Sequence, residues 1–233
     1  MSDARLWRRR AIALGAIATV LVLGYLLWLR DSSLFAVEEV KVEGVSANQE
    51  EVTAALEEAA RGMTTLHVDE GELRDAVARF PTVASVSADA GLLHSLTITV
   101  GERPPVAAIK VEGEPVAVSG DGYLLTGLET EGLGLPAMDA EAVNGGLDEE
   151  GLEQAAILGG APSELRERIA ESAFDIDRGG VVVDLEGAPE LRFGNGDDAP
   201  DKWKAVVTVL ARGQSGASAY IDVAVPERSI AAG

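Results

Sequence analysis

The longest apolar run of the chain lies close to its beginning. Residues 11–29 read AIALGAIATVLVLGYLLWL and contain no charged side chain. As a helix this run would measure about 28 Å, close to the roughly 30 Å hydrocarbon thickness of a bilayer. The pattern predicts a transmembrane helix. A helix buried in a protein core and a cleavable signal peptide remain alternatives, although the apolar region of a signal peptide is usually about 7 to 15 residues.

Aromatic and basic residues stand at the ends of this predicted helix. Tryptophan and tyrosine rings favour the headgroup region, and arginine stays on the cytoplasmic side of a membrane. We therefore predict a single-pass anchor with a cytoplasmic tail over residues 1–10 and an extracytoplasmic domain after it. The residues assigned to the membrane anchor are Trp7, Arg8, Arg9, Arg10, Tyr25 and Trp28.

Past the apolar run, strand and helix patterns follow one another in the order β-α-α-β-β. The strand patterns cover residues 35–44, 83–88 and 93–100, with two amphipathic helices between the first two. Ser46 and Gln49 predict a capping box for the first helix. Asp69 caps the second helix, which Pro81 ends. These residues predict a small α+β domain over 35–104.

The second half of the chain predicts another α+β domain, with a mostly antiparallel sheet and flanking helices. Alternating apolar residues indicate strands over 106–111, 115–118, 123–125, 174–176, 181–185, 190–193 and 220–225, and helical patterns cover 147–158, 163–170 and 198–212. In the last helix we expect Trp203, Val206, Val207 and Leu210 to form the apolar stripe. In the last strand, Ile221, Val223 and Val225 are expected to face inward.

Charge and composition exclude several functions. The chain holds 19 basic and 39 acidic residues, a net charge of −20, so phosphate backbones repel it and nucleic acid is not a partner. Cysteine is absent, which excludes disulfides, thiol nucleophiles and iron–sulfur clusters. The two histidines, His67 and His94, are 27 positions apart and form no recognisable metal or catalytic motif.

Paired carboxylates are the remaining candidates for chemistry. Asp175 with Asp177, and Asp197 with Asp198, are interpreted as turn residues. The stretch from Asp175 to Glu186 has the glycine and glutamate of a calcium loop at the sixth and twelfth positions, but a strand pattern runs through it. We predict no catalytic, cofactor-binding or metal-binding residue. The alternative is a membrane-anchored extracytoplasmic cell-wall enzyme that uses paired carboxylates.

A family resemblance covers nearly the whole chain. It rests on FAVEEVKVEG at 35–44, ARFPTVASVSA at 78–88, LTITVGERPPVAAI at 96–109, DGYLL at 121–125 and YIDVAVP at 220–226. In this order, after a membrane anchor, these segments resemble the FtsQ/DivIB bacterial cell-division proteins. The resemblance implies a POTRA domain over 35–104 and an FtsQ-type β domain over 105–226, followed by a tail over 227–233.

The resemblance also implies a function. It predicts a non-enzymatic divisome scaffold at the septum of the cell membrane that links early and late division proteins and binds FtsB and FtsL. Because only a short tail follows the last predicted strand, we expect that strand to have an open edge, and an open edge accepts a strand of another chain. The predicted partner-binding residues are Tyr220, Ile221, Asp222, Val223, Ala224, Val225, Glu227 and Arg228.

Overall fold

Helix α1, Asp3–Gly24, is the first element of the computed structural model. The structure describes residues 3–25, 35–92, 94–212, 219–226 and 230–232. Within these ranges, no helix is both long enough and apolar enough to cross a bilayer. The last residues of the predicted membrane helix, 26–29, which include Trp28, lie outside the described residues.

The chain divides into two compact units, Met1–Glu102 and Arg103–Gly233. After α1, the first unit contains β1 (Glu39–Glu43), α2 (Gln49–Ala60), α3 (Glu70–Val77), β2 (Val83–Ala90) and β3 (Ser95–Glu102). Strand β3 lies in the middle of the sheet, parallel to β1 and antiparallel to β2. The predicted β-α-α-β-β order is confirmed.

The two helices of the first unit begin in different ways. The Asp69 carboxylate accepts hydrogen bonds from the backbone N–H groups of Gly71 and Glu72, which confirms it as the cap of α3. The predicted capping box at α2 is wrong, since Asn48 is the N-cap and has no side-chain capping bond. Ser46 instead donates to the carboxylate of Glu102, at the end of β3.

The Glu102 carboxylate fixes the loop before α2. Its Oε1 accepts from the backbone N–H of Ser46 at 2.7 Å and of Ala47 at 3.0 Å. Partial burial alone would raise the pKa of Glu102, but the hydrogen bonds from Ser46 and Ala47 outweigh it and lower the pKa. The charged carboxylate therefore stabilises this corner of the unit.

The second unit is built on an eight-stranded sheet. Its strands are β4 (Pro105–Val111), β5 (Glu114–Ser119), β6 (Ala137–Met138), β9 (Ile169–Asp175), β10 (Gly180–Leu185), β11 (Glu190–Gly194), β12 (Tyr220–Asp222) and β13 (Ile230–Ala232). The order across the sheet is β13-β12-β11-β10-β9-β6-β4-β5. A separate small hairpin contains β7 (Ala142–Val143) and β8 (Gly146–Leu147), and the helices are α4 (Glu149–Gly159), α5 (Ser163–Arg166) and α6 (Ala199–Ala211).

The sheet contains more parallel strand pairs than the sequence predicts. Four of its strand pairs are antiparallel, but β11 with β12, β4 with β6, and β6 with β9 are parallel. A parallel neighbour requires a long connection, and α6 lies in the connection from β11 to β12. The predicted strand over 123–125 forms only isolated bridges.

Helices α4 and α6 cover one face of this sheet and enclose the core. Trp203 is completely buried, lies 4.7 Å from the ring of Phe193, and donates through Nε1 to the carbonyl of Ile157 at 2.7 Å. The predicted stripe of α6 is correct for Trp203 and Val206. It is wrong for Val207, which is 44% exposed, because Val209 faces the core instead.

Candidate partner-binding edge

The eight-stranded sheet has a strand at each end, and the end at β5 is partly covered. The residues after β5 fold back over its outer side, where Ser119 N–H donates to the Tyr123 carbonyl at 3.0 Å and Leu125 N–H donates to the Ala117 carbonyl at 2.8 Å. A bridge between Val118 and Leu124 adds to this pairing. These bonds occupy backbone groups that an incoming strand would need.

The opposite end of the sheet is formed by β13. This strand pairs antiparallel with β12 on its inner side, with Ile230 opposite Asp222 and Ala232 opposite Tyr220. On its outer side, the described residues supply no further strand. We call this outer side of Ile230–Ala232 the β13 edge. Unpaired backbone groups along such a strand are a template for another chain.

The structure therefore changes which residues form the open edge. Residues Tyr220–Asp222, predicted to be the edge strand, form β12, which lies between β11 and β13. The sequence prediction missed β13, since three residues with two alanines give little periodicity. Glu227 and Arg228 lie outside the described residues, so their assignment to the partner-binding site remains a prediction.

The strand next to the β13 edge, β12, and the residue after it have side chains buried in the core of the second unit. Ile221 and Val223 are completely buried, as the alternation predicts, and the Val223 N–H donates to the Arg192 carbonyl at 2.8 Å. The expected inward position of Val225 is wrong, since it is 51% exposed. Strand β12 ends at Asp222, and the Asp222 carboxylate accepts a hydrogen bond from the backbone N–H of the exposed Ala224 at 2.9 Å. The alternation of buried and exposed side chains ends there.

A row of charged side chains lies beside β12. Arg192 covers the ring of Tyr220 at 3.8 Å and pairs with Glu190 at 2.9 Å. Arg178 in turn reaches Glu190 at 2.6 Å and Asp175 at 3.0 Å. Because these pairs are partly exposed, each contributes little to stability. The sequence analysis did not single out Arg178 or Arg192.

Beneath this end of the sheet, a buried lysine fixes the loop after β11. Lys202 donates through Nζ to the backbone carbonyl of Asn195 at 2.9 Å and to its side-chain oxygen at 2.8 Å. Burial lowers the pKa of Lys202, although the charges of Asp197, Asp198 and Glu153 act in the opposite direction. Two hydrogen bonds from one buried side chain thus hold Asn195 in place.

The candidate catalytic and metal-binding residues have local structural roles. Asp175 caps the short turn Ile176–Arg178 by accepting from the backbone N–H groups of Asp177 and Arg178. Glu186 comes after β10, so a strand separates it from Asp175. Among the described residues, no three acidic or histidine side chains are grouped to hold a metal ion. His94 Nδ1 lies 2.9 Å from the Ala36 carbonyl and helps position the chain before β1.

The residues assigned to a membrane anchor lie on and after α1. Arg8, Arg9 and Arg10 belong to the helix, which also carries Trp7, 73% exposed. Tyr25 follows the end of the helix and is exposed. Together with Trp28, whose structure is outside the described range, these residues keep their predicted role as a hypothesis.

Comparisons with known proteins show similarity to bacterial cell-division proteins. A protein-family profile described as "POTRA domain, FtsQ-type" matches residues 35–103. The cell division protein FtsQ of Anaeromyxobacter sp. (strain K) is 27% identical over 208 residues, which cover 83% of this chain and 70% of that protein. The profile matches the β-α-α-β-β unit, and the similarity to FtsQ is too long to be confined to it. The first unit therefore contains a POTRA domain of the FtsQ type, and the chain is similar to FtsQ over most of its length.

Proposed function

We propose that this protein is a membrane-anchored scaffold of the bacterial division machinery that holds FtsB and FtsL through the β13 edge. It would link early and late division proteins at the septum. The observation that carries this proposal is the sheet order of the second unit, which leaves β13 without an outer neighbour among the described strands. The FtsQ-type POTRA domain and the similarity to FtsQ support a role in cell division.

Strand addition explains how such an edge selects a partner. Backbone hydrogen bonds along β13 supply affinity, and alternate side chains of the incoming strand supply specificity. The edge is suited to this because β12, directly behind it, is held by two completely buried side chains, Ile221 and Val223. At the β5 end, by contrast, residues 123–125 already occupy part of the outer side.

Anchoring is supported by the sequence pattern at residues 11–29 and its arginine-rich flank. A helix there would place residues 1–10 in the cytoplasm and both folded units outside it. Such an arrangement keeps the β13 edge on the side of the membrane where the partners' extracytoplasmic segments lie. The POTRA unit and the membrane helix would then supply localisation contacts.

A proline at the β13 edge tests the proposal. Proline has no backbone N–H and disrupts strand pairing, so Ala232→Pro should sharply reduce the FtsB and FtsL that co-purify with the full chain. The matched control is Ala90→Pro, which also replaces the last alanine of a strand at the end of a sheet, but in the first unit. Equal co-purification with both variants would contradict strand addition at β13.

A further inference from the structure

A cleft of about 350 Å³ opens where strands β9 to β11 meet the beginning of α4. Its lining includes Glu149 and Glu150 from α4, Phe174 and Ile176 from the end of β9 and the turn after it, and Gly194 and Asn195 from the end of β11. This volume falls within the usual range of binding pockets, about 300 to 1,000 Å³. Strand addition at the β13 edge does not involve this cleft.

The wall of the cleft is preformed. Gly180 has a φ of +126°, and a Cβ atom there would lie 2.2 Å from the carbonyl oxygen of Gly194, so only glycine allows the two backbones to approach this closely. Next to them, Lys202 holds Asn195 by two hydrogen bonds. A partner entering the cleft would not have to order this wall first, which favours affinity.

The lining combines exposed apolar surface with unpaired negative charge. Ile176 is 82% exposed, and Phe174 beside it is half-buried. Glu149 and Glu150 are exposed, and neither pairs with a basic side chain in the part of the chain that the structure describes. A matching ligand has an apolar side chain for Ile176 and Phe174 and a positive charge for the two glutamates.

The cleft and the β13 edge lie at the same end of the sheet. A Cβ atom on Gly194 would lie 3.0 Å from Ala224, just after β12, and Asp222 at the end of β12 pairs with Ile230 of β13. From β11 to a strand added beyond β13 is three strand spacings, about 14 Å, and from Phe174 on β9 it is five, about 24 Å. Four to eight extended residues, at about 3.3 Å each, cover these distances.

We propose that the cleft binds the part of the partner segment adjoining its β13-paired strand, and that this part combines a Lys or Arg with an aliphatic or aromatic side chain. This inference rests on the proposed function and adds a second contact to it. The strand then supplies register along β13, while the cleft recognises a basic and apolar sequence next to that strand.

Charge reversal at the cleft separates the two contacts. The full chain, purified in a mild detergent, is titrated with a fluorescent peptide of the FtsB extracytoplasmic segment at about 50 and 300 mM salt. The double variant Glu149→Lys, Glu150→Lys should bind the peptide about ten-fold more weakly at low salt. The loss should be much smaller at high salt, since salt screens exposed charges. Ile176→Ser should weaken binding several-fold at both concentrations.

The control reverses two glutamates in an equivalent position. Glu50 and Glu51 are also exposed and also lie in the first turn of a helix, α2, but in the other unit. The cleft variants are compared with the double variant Glu50→Lys, Glu51→Lys. If they bind the peptide as tightly as this control, and Ala232→Pro still abolishes binding, the cleft plays no part and the edge proposal stands. If the unaltered chain does not bind the peptide, both the edge proposal and the cleft proposal are overturned.

Discussion

Replacement of Trp203 tests whether the core of the second unit supports the β13 edge. The side chain is completely buried, packs on Phe193 and donates to the Ile157 carbonyl, so it joins α6 to both α4 and β11. Burial of a tryptophan is the largest apolar contribution that one side chain can make to this core. We therefore expect Trp203→Ala to destabilise the second unit strongly.

The magnitude follows from the contacts. Truncation of a buried tryptophan to alanine costs about 3 to 5 kcal/mol, and full burial with an aromatic neighbour favours the upper part of this range. Trp203→Phe keeps most of the packing and loses the hydrogen bond. Because the Ile157 carbonyl still accepts from Gly160 N–H at 3.2 Å, that loss should cost only about 1 kcal/mol, for a total of about 2 kcal/mol.

Urea-dependent hydrogen–deuterium exchange of peptides from β10 and β11 measures this unit separately from the first. Val207→Ala is the control, since Val207 lies on the same helix and is largely exposed, so a change below about 0.5 kcal/mol is expected. A cost below about 1 kcal/mol for Trp203→Ala would refute the reasoning. Partner binding should decline with stability, because Ile221 and Val223 belong to the same core.

Two further predictions concern charged groups. The pKa of Glu102 is lowered, so its stabilising effect is present above the unfolded value of 4.5 and is lost as the pH falls through the folded value. Glu102→Gln should thus destabilise the first unit by about 1 kcal/mol at neutral pH. In urea titrations at several pH values, its stability should depend less on acid pH than that of the control variant Glu51→Gln. Equal pH dependence of the two variants would contradict this prediction. Lys202→Met leaves two oxygens of Asn195 without the donor that Lys202 supplies. Amide hydrogen exchange over residues 195–198, measured by mass spectrometry, should therefore rise at least ten-fold. Unchanged exchange would mean that Lys202 does not hold the loop.

Local patterns identified much of the fold. The β-α-α-β-β order, the Asp69 cap and the burial of Trp203 and Ile221 follow from periodicity and capping rules that act within a few residues. The errors arose from distant contacts. Ser46 looks like the first residue of a capping box, but Glu102, 56 residues away, binds it instead.

The candidate site was predicted less well than the fold. Two apolar side chains of β12 are buried as expected, yet the open edge is the next strand, which local alternation could not reveal. Ala231 and Ala232 have weak strand propensity, and the strand that they form pairs with β12. The parallel pairing of β11 and β12 likewise depends on how α6 crosses the sheet, which sequence spacing alone does not specify.

The parallel pair β11–β12 also has a consequence for the order in which the protein folds. Strands β12 and β13 follow α6 in the chain, so they are synthesised after the other six strands of their sheet. Until α6 emerges and returns the chain across the sheet, β11 is itself the exposed end, and its backbone is open to incorrect pairing. Since contacts between distant parts of the chain form slowly, the edge that we propose for the partner is completed late in folding. A chain that has not finished folding would then be unable to recruit its partner through this edge.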